Sequence, residues 1–459
     1  MGEAALAVAA LLVVLTAVRG NLAAAAIASP ARVAPGQDLA DVTVLVAVRS
    51  GDPLLPDVLA SSVRTLAPAR VLLLVDHDDT AGRAAATAAA AQATDPDAAV
   101  PVDAAPAQAT AHEAAVLIDA AEVPAAATAA ARRAPAPEVV DEVGAVRGGG
   151  ARRPHVEVVV CPPPEPGVNP KIHKLALADV QSGTVVLLDD DTAFPAGGLA
   201  RLVGALADAD LATGVPVYRE QGGLWSRLLA AFVNGSALVT YLPLARVGPP
   251  VSINGMVVAL RRDRLEAVGG FPALATATCD DYALARLFRA HGLRVVQTAQ
   301  PALVATTVPG AAAYLRIVRR WLLFAGEVVR RDLSARLLLL VLVPTALPLA
   351  TVALAVASGS LAAVGAALAA LAVSALVTRA LRRQVTAAMP PDAASADHMA
   401  SPIQAGPPAH AGVGAGWLGV LLEPVAAVLA PLQALAAQLG PRTVTWRGRR
   451  VRVGIGSAP

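Results

Sequence analysis

The sequence predicts an α/β domain with a Rossmann-like mixed sheet, held to a membrane by transmembrane helices at its N- and C-terminal ends. Three observations lead to that class. Val185-Val186-Leu187-Leu188 is an uninterrupted apolar run that ends in Asp189-Asp190-Asp191, and Arg70 to Val75 repeats the pattern before Asp76-His77-Asp78-Asp79. Such runs, rather than alternating ones, belong to parallel strands covered on both faces. The spacing of strand, helix and strand from Val42 to Val75 is that of a βαβ unit. The third observation is composition: 56% of the residues are hydrophobic and 16% charged, against about 25% charged in an ordinary soluble domain.

Composition also removes several function classes. A net charge of +2, with the basic residues clustered at a few places, does not make a nucleic-acid-binding face. The two cysteines, Cys161 and Cys279, lie far apart without metal spacing, which excludes a disulfide framework and fits a reducing compartment. A transporter is excluded because the candidate spans carry no polar pathway residues.

Residues 1–30 read as an N-terminal membrane anchor. A signal peptide is the competing reading, with Ala24 and Ala26 as small residues, but Glu3 stands where a basic segment is required. Arg19 and Arg32 then place the following domain on the cytoplasmic side. That domain spans 40–330, with strands predicted over Val42 to Val48 and Arg70 to Val75 and a helix over Leu55 to Leu66. An Ala/Pro-rich insert of about 84–154 interrupts it, with helix fragments expected around 83–94 and 111–134 and a surface loop over Gly144 to Pro154. His155 to Val160 returns to strand.

The carboxyl ends of such strands open into the ligand crevice of an α/β sheet. Asp189 and Asp191 are placed there to give two oxygens to one hard cation, Mg²⁺ or Mn²⁺, whose other positions water and a diphosphate would fill. The plainer alternative is a solvated acidic turn before the helix that starts near Gly197. Lys171 and Lys174, in Asn169-Pro170-Lys171-Ile172-His173-Lys174, would stand near the same crevice, where a cation can meet phosphate oxygens. After a helix over Gly198 to Ala209 and a strand over Leu211 to Val217, the apolar stretch Gly223 to Leu244 lines an acceptor groove or packs as core. Asn254-Gly255 is a turn-permissive pair ahead of a strand-like run.

Asp280-Asp281-Tyr282 opens a helix that runs to His291, where the macrodipole favours an ionised carboxylate, the state that a general base requires. Capping accounts for one of the two acids. In Tyr314 to Trp321, Arg316 and Arg320 share a helical face with Arg319 beside them, a cluster suited to clamp a pyrophosphate or to meet lipid headgroups.

Residues 336–378 read as a transmembrane helix pair, Leu337 to Ala357 and Leu361 to Val377, joined at Ser358-Gly359-Ser360. Arg330, Arg331 and Arg336 before it and Arg379, Arg382 and Arg383 after it make both flanks cytoplasmic. A linker follows over 384–411, then an apolar segment, 412–440, broken by Glu423, Pro424 and Pro431 and expected to be re-entrant, interfacial or transmembrane. The basic tail, 441–459, favours a cytoplasmic end.

With these motifs in order, the chain resembles the lipid-directed family 2 glycosyltransferases of GT-A type. It is most similar to the ceramide glucosyltransferase group, family 21, with its bacterial and hopanoid-associated relatives. The resemblance covers about 40–330 and extends to the C-terminal Trp446-Arg447-Gly448-Arg449. It implies that Asp76 contacts the nucleotide, that Asn169 to Ile172 is the segment preceding the metal site, and that Asp189 and Asp191 hold the metal with Asp190 beside the nucleotide sugar. It also implies that Asp281, in Asp280-Asp281-Tyr282, is the base. The family's Gln or Arg, separated by two residues from Arg-Trp, departs here: counting back from Arg320-Trp321 reaches Ile317, and Arg316 lies one position earlier.

The resemblance further implies an inverting transfer of a hexose from a UDP-sugar to a lipid hydroxyl, with Lys171, Arg316, Arg319, Arg320 and Trp321 at the donor. A polysaccharide synthase and an inactive nucleotide-sugar-binding membrane protein are the rival readings.

Overall fold

The computed structural model describes residues 1–29, 39–67, 69–94, 138–139, 155–387, 415–446 and 449–453. The fragment expected at 111–134, the loop at 144–154 and the linker up to residue 411, beyond Ala387, lie outside them.

The apolar runs become the middle of one mixed sheet. Its strands are β1 (Val42–Ala47), β2 (Arg70–Asp76), β3 (Glu138–Val139), β4 (His155–Cys161), β5 (Thr184–Leu188), β6 (Thr192–Ala193), β7 (Leu211–Tyr218), β8 (Val257–Arg261) and β9 (Val295–Val304). They are ordered β3-β4-β2-β1-β5-β8-β7-β9-β6. β4, β2, β1 and β5 run parallel, whereas β8 is antiparallel to both β5 and β7. The runs are continuous because both faces are covered. Val44, Val46, Val71, Leu73 and Val186 pack on one side with the helix Leu55–Thr65, and Leu45, Leu72, Leu74, Val185 and Leu187 on the other with the helices Pro170–Leu177 and Asp280–Ala290.

From β1 the chain goes out to β2 and β4 and returns to β5 on the opposite side of β1. That reversal is the switch point at which open α/β sheets form a ligand crevice. The backbone N–H of Arg49, just past β1, donates to Asp190 Oδ2 at 2.6 Å, just past β5. The two strand ends are thereby fastened together at the point of reversal.

Among the described residues, five stretches are long and apolar enough to cross a membrane: Gly2–Ala28, Leu224–Arg246, Ala335–Ser358, Leu361–Ala387 and Leu421–Leu439. The second is in fact two helices, Leu224–Asn234 and Leu238–Arg246, with a break at Gly235 and Ser236. At 1.5 Å per residue neither approaches the roughly 30 Å of a hydrocarbon core. The N-terminal helix lies against the other long helices through small side chains, with Ala5 beside Ala355, Ala363 and Ala367, and Ala9 beside Ala370. Gly20 permits the closest approach, since a Cβ there would stand 2.8 Å from Val377 Cγ1. Gly359, at φ +64°, closes the turn between the paired helices.

Within the apolar segment 412–440 the sequence's breakers do not end the helix. Ala415–Leu439 is one helix with Pro424 and Pro431 inside it. Glu423 is buried on it and accepts from Thr378 Oγ1 at 3.0 Å and Arg382 Nη2 at 2.5 Å, which joins it to Leu361–Ala387. The basic tail is likewise structured, as an antiparallel hairpin of β10 (Thr443–Trp446) and β11 (Arg449–Arg452). Val444 and Val453 pack with Leu323 of the amphipathic helix Ala311–Asp332 and with Ala437. The strand-like run after Asn254-Gly255 pairs as Val257–Arg261, and 251–256, with the turn pair in it, forms a loop.

Candidate active site

A cavity of about 630 Å³ opens at the switch point. At its polar end stand Arg49, Lys171, Lys174, Asp189, Asp190, Asp191, Asp280, Asp281 and Arg320. Its walls continue through Tyr218, Phe232, Tyr241 and Trp321 to Val328, Leu337, Val341 and Leu342, the last three at the start of the Ala335–Ser358 helix.

Asn169 prepares the polar end without lining it. Its Oδ1 caps the Pro170–Leu177 helix by accepting from the backbone N–H groups of Lys171 and Ile172, while its Nδ2 donates to the Ala277 carbonyl at 2.7 Å. The cap therefore also fastens the loop that leads into Asp280. Two residues past the cap, Lys171 Nζ donates to Asp189 Oδ1 at 2.5 Å and stands 3.8 Å from Asp280 Oδ2. Burial opposes the Lys171 charge, but Asp189 and Asp280 outweigh it and the ammonium is held above its ordinary pKa.

The strand-end acids are crowded. Burial first, then the charge of Asp189, pushes Asp190 up to about 6. Burial and the charges of both neighbours push Asp191 up to about 8, although Thr192 Oγ1 donates to its Oδ1 at 2.9 Å.

Asp281 is fixed by its first oxygen. Oδ1 accepts from the Tyr282 backbone N–H at 2.7 Å and from the Cys279 thiol at 3.3 Å, so Oδ2 is left to face the cavity beside Gly255. Burial, then the charge of Asp280, raises this carboxyl to about 6. The helix dipole does not keep it as acidic as the sequence alone suggests; desolvation wins. Tyr282 itself is wholly buried, and its hydroxyl donates at 2.6 Å to Asp332, which ties the helix bearing Asp281 to the far end of Ala311–Asp332.

Other expected contacts fall elsewhere. Asp76, 8% exposed, pairs with the buried Lys174 at 3.3 Å and does not line the cavity; Lys174 also donates to the Val48 carbonyl at 2.7 Å. On Ala311–Asp332, Arg320 and Trp321 line the cavity, with the Trp321 ring stacked 6.4 Å from that of Phe232. Arg316, one turn back, is exposed outside it, and Arg319 is rotated away and donates to the carbonyls of Thr443 and Pro441. The expected donor contact by Arg316 and Arg319 is therefore not supported by this arrangement. Asn254 was read only as a turn residue, yet it lines the cavity with a buried Nδ2 that has no partner among the described residues.

The donor set fits a divalent cation bound together with its ligand rather than a preformed cage. No group of three or more His, Cys, Asp or Glu is arranged to hold a metal among the described residues. Asp189 and Asp191 nonetheless supply hard oxygens in a crowded acidic cluster in which Lys171 pairs with Asp189 while burial and its acidic neighbours raise Asp191, and Mg²⁺-type sites commonly use one or two carboxylates plus phosphate oxygens.

An α/β crevice with strand-end carboxylates, beside helices long and apolar enough to cross a membrane, defines the class as a GT-A-like fold with candidate membrane-spanning helices. Residues 143–458 match the model of glycosyl transferase family 21, and the chain belongs to that family of nucleotide-sugar-dependent glycosyltransferases. Among solved structures it is similar to a mannosyltransferase from Pyrobaculum calidifontis in complex with GDP-Man and Mn²⁺. That likeness has 18% identity and a TM-score of 0.42, over 96% of this chain and 98% of the other. It is also similar to glucosyl-3-phosphoglycerate synthase from Mycobacterium tuberculosis in complex with Mn²⁺, UDP and glucosyl-3-phosphoglycerate. There the identity is 15% and the TM-score 0.30, over 64% of this chain and 86% of the other. No curated protein matches the chain.

Proposed function

We propose that the protein is an inverting hexosyltransferase that moves a hexose from a UDP-sugar to the hydroxyl of a membrane lipid, with its catalytic domain, 40–330, on the cytoplasmic side. The observation that carries this reading is the single cavity shared by Asp189, Asp281 and Arg320 at one end and Leu337, Val341 and Leu342 at the other. Only an acceptor with a polar head and a long apolar body uses both ends.

In this reading Asp189 and Asp191 would hold Mg²⁺ or Mn²⁺, which when bound would supply positive charge beside the departing nucleoside diphosphate. Lys171 and Arg320 direct charge-assisted hydrogen bonds to the same diphosphate. Asp281 Oδ2 takes the acceptor hydroxyl proton as the oxygen attacks the anomeric carbon. One bond forms between that oxygen and the sugar while the bond from the sugar to the diphosphate breaks, so the configuration inverts. Tyr218, Trp321, Phe232 and Tyr241 line the same cavity.

The test is an incubation of the detergent-solubilised protein with a panel of nucleotide sugars and host lipid extract, followed by mass spectrometry. A lipid heavier by one hexose is expected. Hexose transfer confined to water-soluble acceptors, or growth of a polymer, overturns the reading.

A further inference from the structure

Arg19 does more than mark the cytoplasmic end of the N-terminal helix. Its Nε donates to the Val239 carbonyl at 2.8 Å, and Nη2 stands 3.4 Å from Thr240 Oγ1. Val239 belongs to the short helix Leu238–Arg246, which contains Pro243. Proline has no N–H, and the bond missing at Pro243 is the one that the carbonyl four residues earlier, Val239, would accept. Arg19 therefore reaches across from another helix to the carbonyl that Pro243 leaves without its helical donor. Val239 is buried, and a buried carbonyl without a partner is costly, so a neighbour's donor takes the place of the missing N–H.

The helix that is mended in this way is a wall of the cavity. Thr240, Tyr241 and Leu244 all line it, next to Val239. Its other face packs on the N-terminal helix, with Leu238, Val239 and Leu242 in one cluster with Ala23. We propose that Arg19 is a positioning residue: through the Val239 carbonyl it sets the Thr240–Leu244 wall against which the acceptor rests. The N-terminal helix is then part of the acceptor site as well as an anchor. The effect on acceptor use rests on the lipid-acceptor reading above, whereas the effect on the helix does not.

The test uses full-length protein in lipid nanodiscs and three variants: Arg19→Met, Pro243→Ala and the double variant. Arg19→Met keeps an unbranched apolar stem and removes the donors. Pro243→Ala supplies an N–H from within the helix, so the carbonyl no longer needs Arg19. A bond from a charged donor is worth about tenfold or more in an equilibrium. Amide hydrogen exchange over 238–246 is therefore expected to quicken about tenfold in Arg19→Met and to return toward wild type in the double variant. The acceptor KM should rise and recover in step, while UDP affinity stays unchanged. Rescue by Pro243→Ala separates this role from mere loss of packing. Unchanged exchange in Arg19→Met, failure of Pro243→Ala to restore it, or a parallel loss of UDP affinity overturns the proposal. If wild type transfers nothing to lipid while the exchange pattern holds, it is the acceptor reading that fails and the positioning of the wall that stands.

Discussion

The Lys171 ammonium stands between two acidic loops, 2.5 Å from Asp189 Oδ1 and 3.8 Å from Asp280 Oδ2. One cation on the Pro170–Leu177 helix thus joins the end of β5 to the helix that carries Asp281. Substituting it as Lys171→Met leaves the acids facing one another and removes a donor to the diphosphate. UDP affinity, measured by calorimetry, is expected to fall at least about tenfold. An unchanged affinity would make Lys171 an internal counter-ion only.

Asp281→Asn keeps the shape of the side chain and removes the proton acceptor. Sugar transfer should drop by about 10² to 10⁴, with UDP binding retained. The pH dependence follows from burial and Asp280, which raise the Asp281 carboxyl to about 6. The base is ionised above that value, so kcat/KM should be flat on the alkaline side and fall tenfold per pH unit below it. A rate that persists undiminished at pH 4 in the wild type is incompatible with Asp281 as base.

Chelation of divalent ions should abolish transfer, and Mn²⁺ or Mg²⁺ should restore it. Asp191→Asn removes the negative charge of one of the two carboxylates proposed to hold the metal, and Mn²⁺ binding in the presence of UDP, followed by paramagnetic resonance, should weaken by about tenfold or more. Equal binding by the variant would move the metal site away from β5.

Glu327 is a hub for the C-terminal hairpin. Its buried carboxylate accepts from Arg330 at 2.8 Å, Arg331 at 2.6 Å and Arg442 at 2.5 Å. Burial raises its pKa, but Arg330 and Arg331 outweigh that and hold it below its ordinary 4.5. A depressed carboxyl contributes stability above its unfolded pKa and loses it as pH falls through the folded value. Glu327→Gln should therefore speed proteolysis or hydrogen exchange of 443–452 at neutral pH, and the difference from wild type should shrink in acid below about pH 4.

Much of the sheet was legible because a covered strand needs apolar residues on both faces, and Val42–Ala47, Arg70–Asp76 and Thr184–Leu188 meet that need locally. The acids at their ends were legible for the same reason, since an Asp triplet directly after such a strand has few other places to go. What was not legible depends on partners distant in sequence. Asp76 turns toward Lys174, 98 positions away, and Arg319 toward carbonyls more than 120 positions away. Nothing in Tyr314 to Trp321 announces a hairpin at 443–452, so four neighbouring side chains looked equivalent although only Arg320 and Trp321 reach the cavity. The split of 224–246 escaped because Gly235 and Ser236 are weak breakers in an apolar context. The role of Asn254 was hidden by Gly255, which made the pair look like a turn and nothing more.

The cavity joined to Leu337, Val341 and Leu342 also decides how turnover must be counted. The proposed lipid acceptor would arrive and depart by that side without passing through bulk water, so its effective abundance would be a surface density within one leaflet. Diluting the protein with more buffer would leave the rate per enzyme unaltered, whereas diluting it with inert phospholipid would slow it, and accumulated product would crowd the same two-dimensional pool.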